Sequence, residues 1–192
     1  MDYHFFALMS RMRYIGRWGL MRSVQPENVS EHSHMVAVLA HALAVIENEK
    51  FGGDLDVGEV AIAALYHDAP EILTGDLPTP VKYYNPEIKT AYKAVEQTSA
   101  ERLLALLPPE LQTIYRPYVS ETCDPAVERV VKAADKLSAY IKCVEELKAG
   151  NNEFRLAAQQ TRTALEAIRL PALGYFMEHF LPGFELTLDE LQ

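Results

Sequence analysis

Positive charge is scarce in this sequence. Against 27 acidic residues stand 18 lysines and arginines, a formal charge of -9 over 192 residues, with a pI near 5.1. Such a chain lacks the broad basic surface on which extended nucleic-acid binding rests, while a small phosphorylated ligand in a local pocket stays open. Cysteine is nearly absent: Cys123 and Cys143 allow at most one bridge and read as reduced, small, semi-apolar residues without catalytic duty. No uninterrupted apolar run approaches the roughly 20 residues of a membrane helix, and Met1 to Ser10 lacks a basic segment followed by a cleavable apolar core, so a cytoplasmic protein is expected. There is no alternating strand pattern of useful length, no internal repeat and no low-complexity tract, which leaves an all-α class. The 49% hydrophobic and 23% charged composition excludes disorder. The length predicts a single domain over 1–192.

Helical spacing is what the chain does have. Phe5, Leu8, Met9, Met12 and Ile15 form an apolar stripe over 3–15 that Gly16 ends, and a loop with Arg17 and Trp18 follows. Asn28 with Glu31, and Asp56 with Glu59, are variants of the capping-box pattern. They predict helices to about Glu49 and from Val57 to about Tyr66, the second so rich in alanine and branched residues that it is expected to be the central helix. Pro70 must kink or stop that helix between Tyr66 and Ala69. Asp76 to Pro80 is too proline-rich for a helix and is expected to be a stiff loop. Asn85-Pro86 opens a long helix with a stripe through Ile88, Ala91, Tyr92, Val95, Leu103 and Leu106, running to Pro108. A short helix broken by Pro117 follows, then one from Asp124-Pro125 to Gly150, then helices over 153–169 and 172–180.

The chemistry concentrates at Leu65-Tyr-His-Asp-Ala-Pro-Glu71, where an imidazole and two carboxylates interrupt an apolar run. Burying them is costly unless a cation compensates. His32, His67, Asp68 and Asp135 come from three helices that can pack together, and two imidazoles with two carboxylates make a divalent-cation site. Such mixed nitrogen and oxygen donors suit manganese, cobalt, nickel, iron or magnesium, whereas zinc more often recruits cysteine or three nitrogens. Core histidines and capping aspartates of ordinary structural kind would leave the same residues in the sequence. Glu71, four residues past His67, is a candidate general acid/base or an exposed helix-end carboxylate. Trp18 is a sugar-facing wall or a core residue, and Asp76 a functional group or a turn aspartate. His4, His34, His41 and His179 are assigned to packing or surface.

The order His32, then His67-Asp68, then Asp135 in a helical chain resembles the HD-domain metal-dependent phosphohydrolases. Phe5-Phe6, Asn28-Val-Ser-Glu-His32, Tyr66-His-Asp-Ala, Glu71-Ile-Leu-Thr-Gly-Asp-Leu-Pro-Thr-Pro-Val-Lys82 and Gly150-Asn-Asn-Glu-Phe154 extend this to the bacterial 5'-deoxynucleotidase branch across nearly the whole chain. The resemblance implies an HD-domain helical bundle with a central buried helix and a mononuclear site. It also implies hydrolysis of deoxyribonucleoside 5'-monophosphates with one divalent cation, cobalt or manganese foremost, in a homodimer. His32, His67, Asp68 and Asp135 match the metal ligands. Arg17 and Trp18 match the substrate-contacting pair, and Asp76, Leu77, Pro78 and Thr79 the substrate loop, with His32, Asp68 and Asp135 also facing the substrate. Glu71, Asp76 and Arg17 are the expected catalytic groups. Pro70 replaces a small residue of the motif, and Lys136 directly follows the last ligand. The rivals are an HD-type phosphodiesterase or triphosphate hydrolase, against which the lack of long basic surfaces speaks, and a non-catalytic helical binding module, against which the intact ligand set speaks.

Overall fold

Helix boundaries in the computed structural model, which describes residues 2–82 and 84–191, follow local capping chemistry. Met1 and Gln192 of the expected domain, and Tyr83, lie outside the described residues. Helix α1 (Phe5–Met9) tightens into a 3-10 turn at Ser10–Tyr14. In α2 (Val29–Phe51), the Asn28 side chain accepts from the Glu31 amide while the Glu31 carboxylate accepts from the Asn28 amide, a full capping box. Gly52 closes it at φ +70°, a left-handed cap open to a residue without Cβ. The Asp56 carboxylate caps α3 (Val57–Tyr66), Asn85 caps α6 (Pro86–Leu104) and Asp124 caps α8 (Pro125–Lys148). Between α3 and α6 lie two single-turn helices, α4 (Glu71–Thr74) and α5 (Thr79–Lys82). Helices α7 (Pro109–Val119), α9 (Arg155–Glu166) and α10 (Pro171–His179) complete the chain. Among the described residues the sole β-type pairing is an isolated antiparallel bridge between Gly16 and Asn28, and the fold is all-α.

The main core is built by α2 and α8, through Val36, Leu39, Ala40 and Leu43 against Val130, Ala134, Leu137 and Ile141, with α3, α9 and α10 packed around them. Each of these valines, leucines and isoleucines contributes about 1.5–3 kcal/mol on burial. A second, smaller core gathers Phe5, Ala69, Ala100, Leu103, Leu104, Leu107 and Val119 from α1, α6, α7 and the turn after α3. By length and composition α2 is apolar enough to cross a membrane, but half of that apolar stretch is buried inside the protein, as befits a core helix.

Four expectations need correction. Helix α3 is not the central one: it buries Val60, Ala63 and Ala64 but exposes Ile62 and Leu65, because α2 and α8 cover one face only. Thr79 and Pro80 are not loop but begin α5, since proline is tolerated in a first turn, where its missing amide has no partner to lose. Pro117 does not break α7, which continues to Val119. The stripe through α6 is buried only in its last turns; Val95 is half exposed. Pro70 behaves as expected: α3 stops at Tyr66, and His67 to Pro70 form a tight turn before α4. Ala64 before this turn belongs to the main core and Ala69 within it to the second, so His67 and Asp68 sit at the seam.

Candidate metal centre

Three elements aim at one point. From the first turns of α2, His32 is fully buried. Its Nε2 lies 3.1 Å from Asp135 Oδ1 and 3.6 Å from Asp68 Oδ2, while its Nδ1 meets Ser138 Oγ at 3.2 Å. From the turn after α3, His67 donates through Nδ1 to the Ala64 carbonyl at 2.7 Å, which orients the ring and leaves Nε2 facing the cluster. That Nε2 is 3.2 Å from Asp68 Oδ2, yet it is buried without a hydrogen-bond partner. Single ligand atoms of His32, His67 and Asp135 all fall within 4.8 Å of one another, and Asp68 lies against both imidazoles. The distorted backbone ahead of Pro70 lets two consecutive residues point the same way, which a regular helix would not.

The electrostatics favour a cation there. Burial disfavours a charged His67, but the Asp68 carboxylate outweighs it and lifts the imidazole to about 9. Burial likewise works against the Asp68 charge, and His67 overcomes it, holding that carboxyl at about 2. Asp135 is held well below the usual carboxylate range by His32 despite its burial. The carboxylates that hold a proton on His67 mark a place for positive charge, and a divalent metal taking that place would displace the proton, since its ligands are neutral imidazole and carboxylate.

Around the cluster stand the other candidates. Glu71 is buried rather than exposed, and its Oε2 has no hydrogen-bond partner. Burial together with the Asp68 and Asp76 charges raises it to about 9, against the pull of Arg17 and Lys82. Asp76 is also raised by burial, tempered by Arg17 and by a hydrogen bond from the Trp18 backbone. Arg17 sets Nη1 3.5 Å from Asp68 Oδ2. Leu77 and Pro78 are half-buried, and Thr79 is exposed at the start of α5. A cavity of about 260 Å³ reaches His67, Asp68 and Asp135, and Lys82, Lys132, Lys136 and Tyr118 line its wall. His4, His34, His41 and His179 are exposed, as expected.

The 5'-deoxynucleotidase YfbR-like family model matches residues 4–184. The chain belongs to the YfbR-like 5'-deoxynucleotidase family. It is 53% identical to a Vibrio vulnificus 5'-deoxynucleotidase, VV1113, over 98% of this chain and 97% of that one. Identity is also 53% to the 5'-deoxynucleotidase YfbR of Escherichia coli O1:K1, over 98% and 95%. Among solved structures, an HD-domain phosphohydrolase from Listeria innocua superposes with a TM-score of 0.82 at 25% identity, covering 94% of this chain and 88% of that one. A cyanophage S-2L HD phosphohydrolase, bound to dA and one catalytic Zn2+ ion, gives 0.65 at 25% identity, covering 94% and 96%. The zinc of that neighbour is one of the divalent cations that sequence reasoning leaves open.

For this YfbR-like chain, sequence reasoning missed the residues that hold the Arg17–Asn28 loop. Glu27 accepts from Arg17 Nε and from Trp18 Nε1, each at 3.0 Å. The Glu146 carboxylate, 1% exposed, accepts from the Val24 and Gln25 amides at 2.8 and 3.0 Å and from Asn151 Nδ2 at 2.8 Å. Lys142 donates to Glu146 and to the Gln25 carbonyl. The Gly150-Asn-Asn-Glu-Phe154 motif thereby gains a physical reading. Gly150 at φ +84° ends α8, with the Asn151 amide returning to the Glu146 carbonyl and the Gly150 amide to that of Leu147, a Schellman closure. Asn151 then also bonds the Arg22 carbonyl, Glu153 takes the Arg22 backbone and side chain, and Phe154 packs on Trp18 at 5.2 Å. Ser138 carried a usable signal, one turn beyond Asp135 on α8. Glu27 carried none, standing beside the Asn28 cap where a solvated carboxylate is ordinary.

Proposed function

We propose that this protein is a metal-dependent phosphomonoesterase that hydrolyses deoxyribonucleoside 5'-monophosphates to deoxynucleoside and phosphate and discriminates against ribonucleotides. The observation that carries the reading is the open cluster of His32, His67, Asp68 and Asp135, with an orphaned imidazole nitrogen and an arginine 3.5 Å from its central carboxylate, in a chain 53% identical to 5'-deoxynucleotidases. These four residues are the proposed ligands. A divalent cation held by them would supply a water acidified to near-neutral pKa.

Arg17, permanently charged, grips two phosphate oxygens of the monoester and offsets the charge of the transition state. Its nearness to Asp68 sets the phosphorus against the cluster, so that attack and departure of the 5'-oxygen fall in line. As the bond from phosphorus to the 5'-oxygen breaks, that oxygen needs a proton. Glu71, neutral below about 9, carries one, which makes it the proposed general acid. Asp76, beside Arg17 and tied to the Trp18 backbone, orients the attacking water or the sugar hydroxyl. Leu77, Pro78 and Thr79 complete the sugar side, and the Trp18 indole is a wall where a 2'-hydroxyl would lie.

Cobalt or manganese is the proposed metal, chosen on the family resemblance from among the cations that the mixed donor set suits. The chain acts as one HD domain over 1–192 in the cytoplasm, consistent with unpaired Cys123 and Cys143. It acts as a homodimer, a reading supported by exposed Met35, Val38 and Val45 on α2 and Ile62 and Leu65 on α3. The test of activity is phosphate release from dAMP, AMP and dATP, with chelator and then with manganese, cobalt or magnesium restored. Metal-dependent release from dAMP, with little from AMP or dATP, is expected. No release with any metal from folded protein would overturn the reading.

A further inference from the structure

Arg17 and Trp18 are neighbours in sequence, and a regular backbone would send their side chains apart. Here they converge on one atom, since Glu27 Oε2 accepts from the Arg17 guanidinium at Nε and from the Trp18 indole at Nε1, both at 3.0 Å. The Glu27 backbone carbonyl also accepts from the Arg17 amide at 3.0 Å, next to the Gly16–Asn28 bridge that closes the loop. Trp18 reaches this arrangement only by adopting φ +60°, a left-handed conformation that bulky side chains rarely take and that persists only where surrounding contacts over-determine it. The indole bond to Glu27, the stacking on Phe154 and the Met21 amide bonded to the Trp18 carbonyl at 2.8 Å are those contacts.

We infer that Glu27 is a positioning residue whose single carboxylate oxygen locks the Arg17 guanidinium and the Trp18 indole into one unit, so that phosphate grip and sugar discrimination are set together. Holding Arg17 by Nε turns its terminal nitrogens toward the cluster, where Nη1 meets Asp68 Oδ2 at 3.5 Å and where the pair can form a bidentate phosphate contact. Glu27 itself touches neither the cluster nor the reacting atoms. The inference takes the roles of Arg17 and Trp18 from the deoxynucleotidase reading, and the way they are held from geometry alone.

Trp18 is the sole tryptophan of the chain, so its fluorescence reports the clamp without any turnover. The experiment compares metal-loaded wild type, Glu27→Ala and Glu27→Gln by acrylamide quenching, by melting temperature and by kcat and KM on dAMP and AMP. Glu27→Ala is expected to red-shift the emission and make it more quenchable. It should lower kcat on dAMP by ~10- to 100-fold, the cost of a displacement near 1 Å in a positioned group, and shrink the preference for dAMP over AMP, with the melting temperature close to wild type. Glu27→Gln keeps an acceptor oxygen and should restore both the quenching and the preference. Trp18→Ala, which removes the wall itself, should shrink the preference for dAMP over AMP at least as far as Glu27→Ala does. Wild-type quenching and an unchanged dAMP preference in Glu27→Ala would overturn the clamp, as would equal losses in both Glu27 variants. Absence of dAMP hydrolysis by wild type would instead remove the deoxynucleotidase reading, and the quenching arm alone would then decide the clamp.

Discussion

Two carboxylates, the buried Glu146 and the half-buried Asp68, are both held at about 2, and for opposite ends. Around Glu146 the oxygens meet two backbone amides, Asn151 and the Lys142 ammonium. Around Asp68, His67 Nε2 and Glu71 Oε2 are buried without hydrogen-bond partners. A satisfied polar network rigidifies a fold, whereas an unsatisfied one is destabilising and calls for a further partner. The first network therefore ties the Arg17–Asn28 loop to α8, and the second is the proposed place of a cation and a substrate.

Substitutions can break this contrast in both directions. Asp68→Ala has the largest expected effect: divalent-metal affinity falls by more than about 100-fold, beyond what loss of an outer partner costs, and phosphate release disappears, while the helical circular dichroism persists. Next, Glu71→Gln keeps shape but carries no acidic proton, so kcat on dAMP should fall by about 10²- to 10⁴-fold with metal affinity retained in a binding titration. Glu146→Ala should act on the fold instead, costing about 3–5 kcal/mol in denaturant unfolding because Lys142 is left buried and uncompensated.

The smallest effect is on pH. Burial alone would raise the Glu146 carboxyl, but bonds from Lys142, Val24, Asn151 and Gln25 depress it from 4.5 to about 2. Its stabilisation is thus complete above the unfolded value and is lost as pH falls from about 4.5 toward 2. Melting temperatures across that window should fall less steeply in Glu146→Gln than in wild type.

The closed network and the open one were unequally legible in the sequence. The caps at Asn28, Asp56, Asn85 and Asp124 could be read because each partner lies within three residues. The four proposed ligands could be singled out because imidazoles and carboxylates in apolar helices need a reason to be there, and the fold gathers them at one point. Glu146 and Lys142 could not, since the groups they hold are 117 to 122 residues away and a charged pair one turn apart on a helix passes for a solvated face. The centrality of α3 was overread for a related reason: continuous apolar content hides which side faces solvent. Ile62 and Leu65 are exposed, a fact that only the packing of α2 and α8 decides.

The most direct test of this contrast is a calorimetric titration of manganese or cobalt into chelator-treated wild type, Asp68→Ala and Glu146→Gln, each shown to be folded. The account predicts one cation bound by wild type and by Glu146→Gln, and none by Asp68→Ala at the same concentrations. Equal binding by wild type and Asp68→Ala, or no binding by folded wild type, would contradict it.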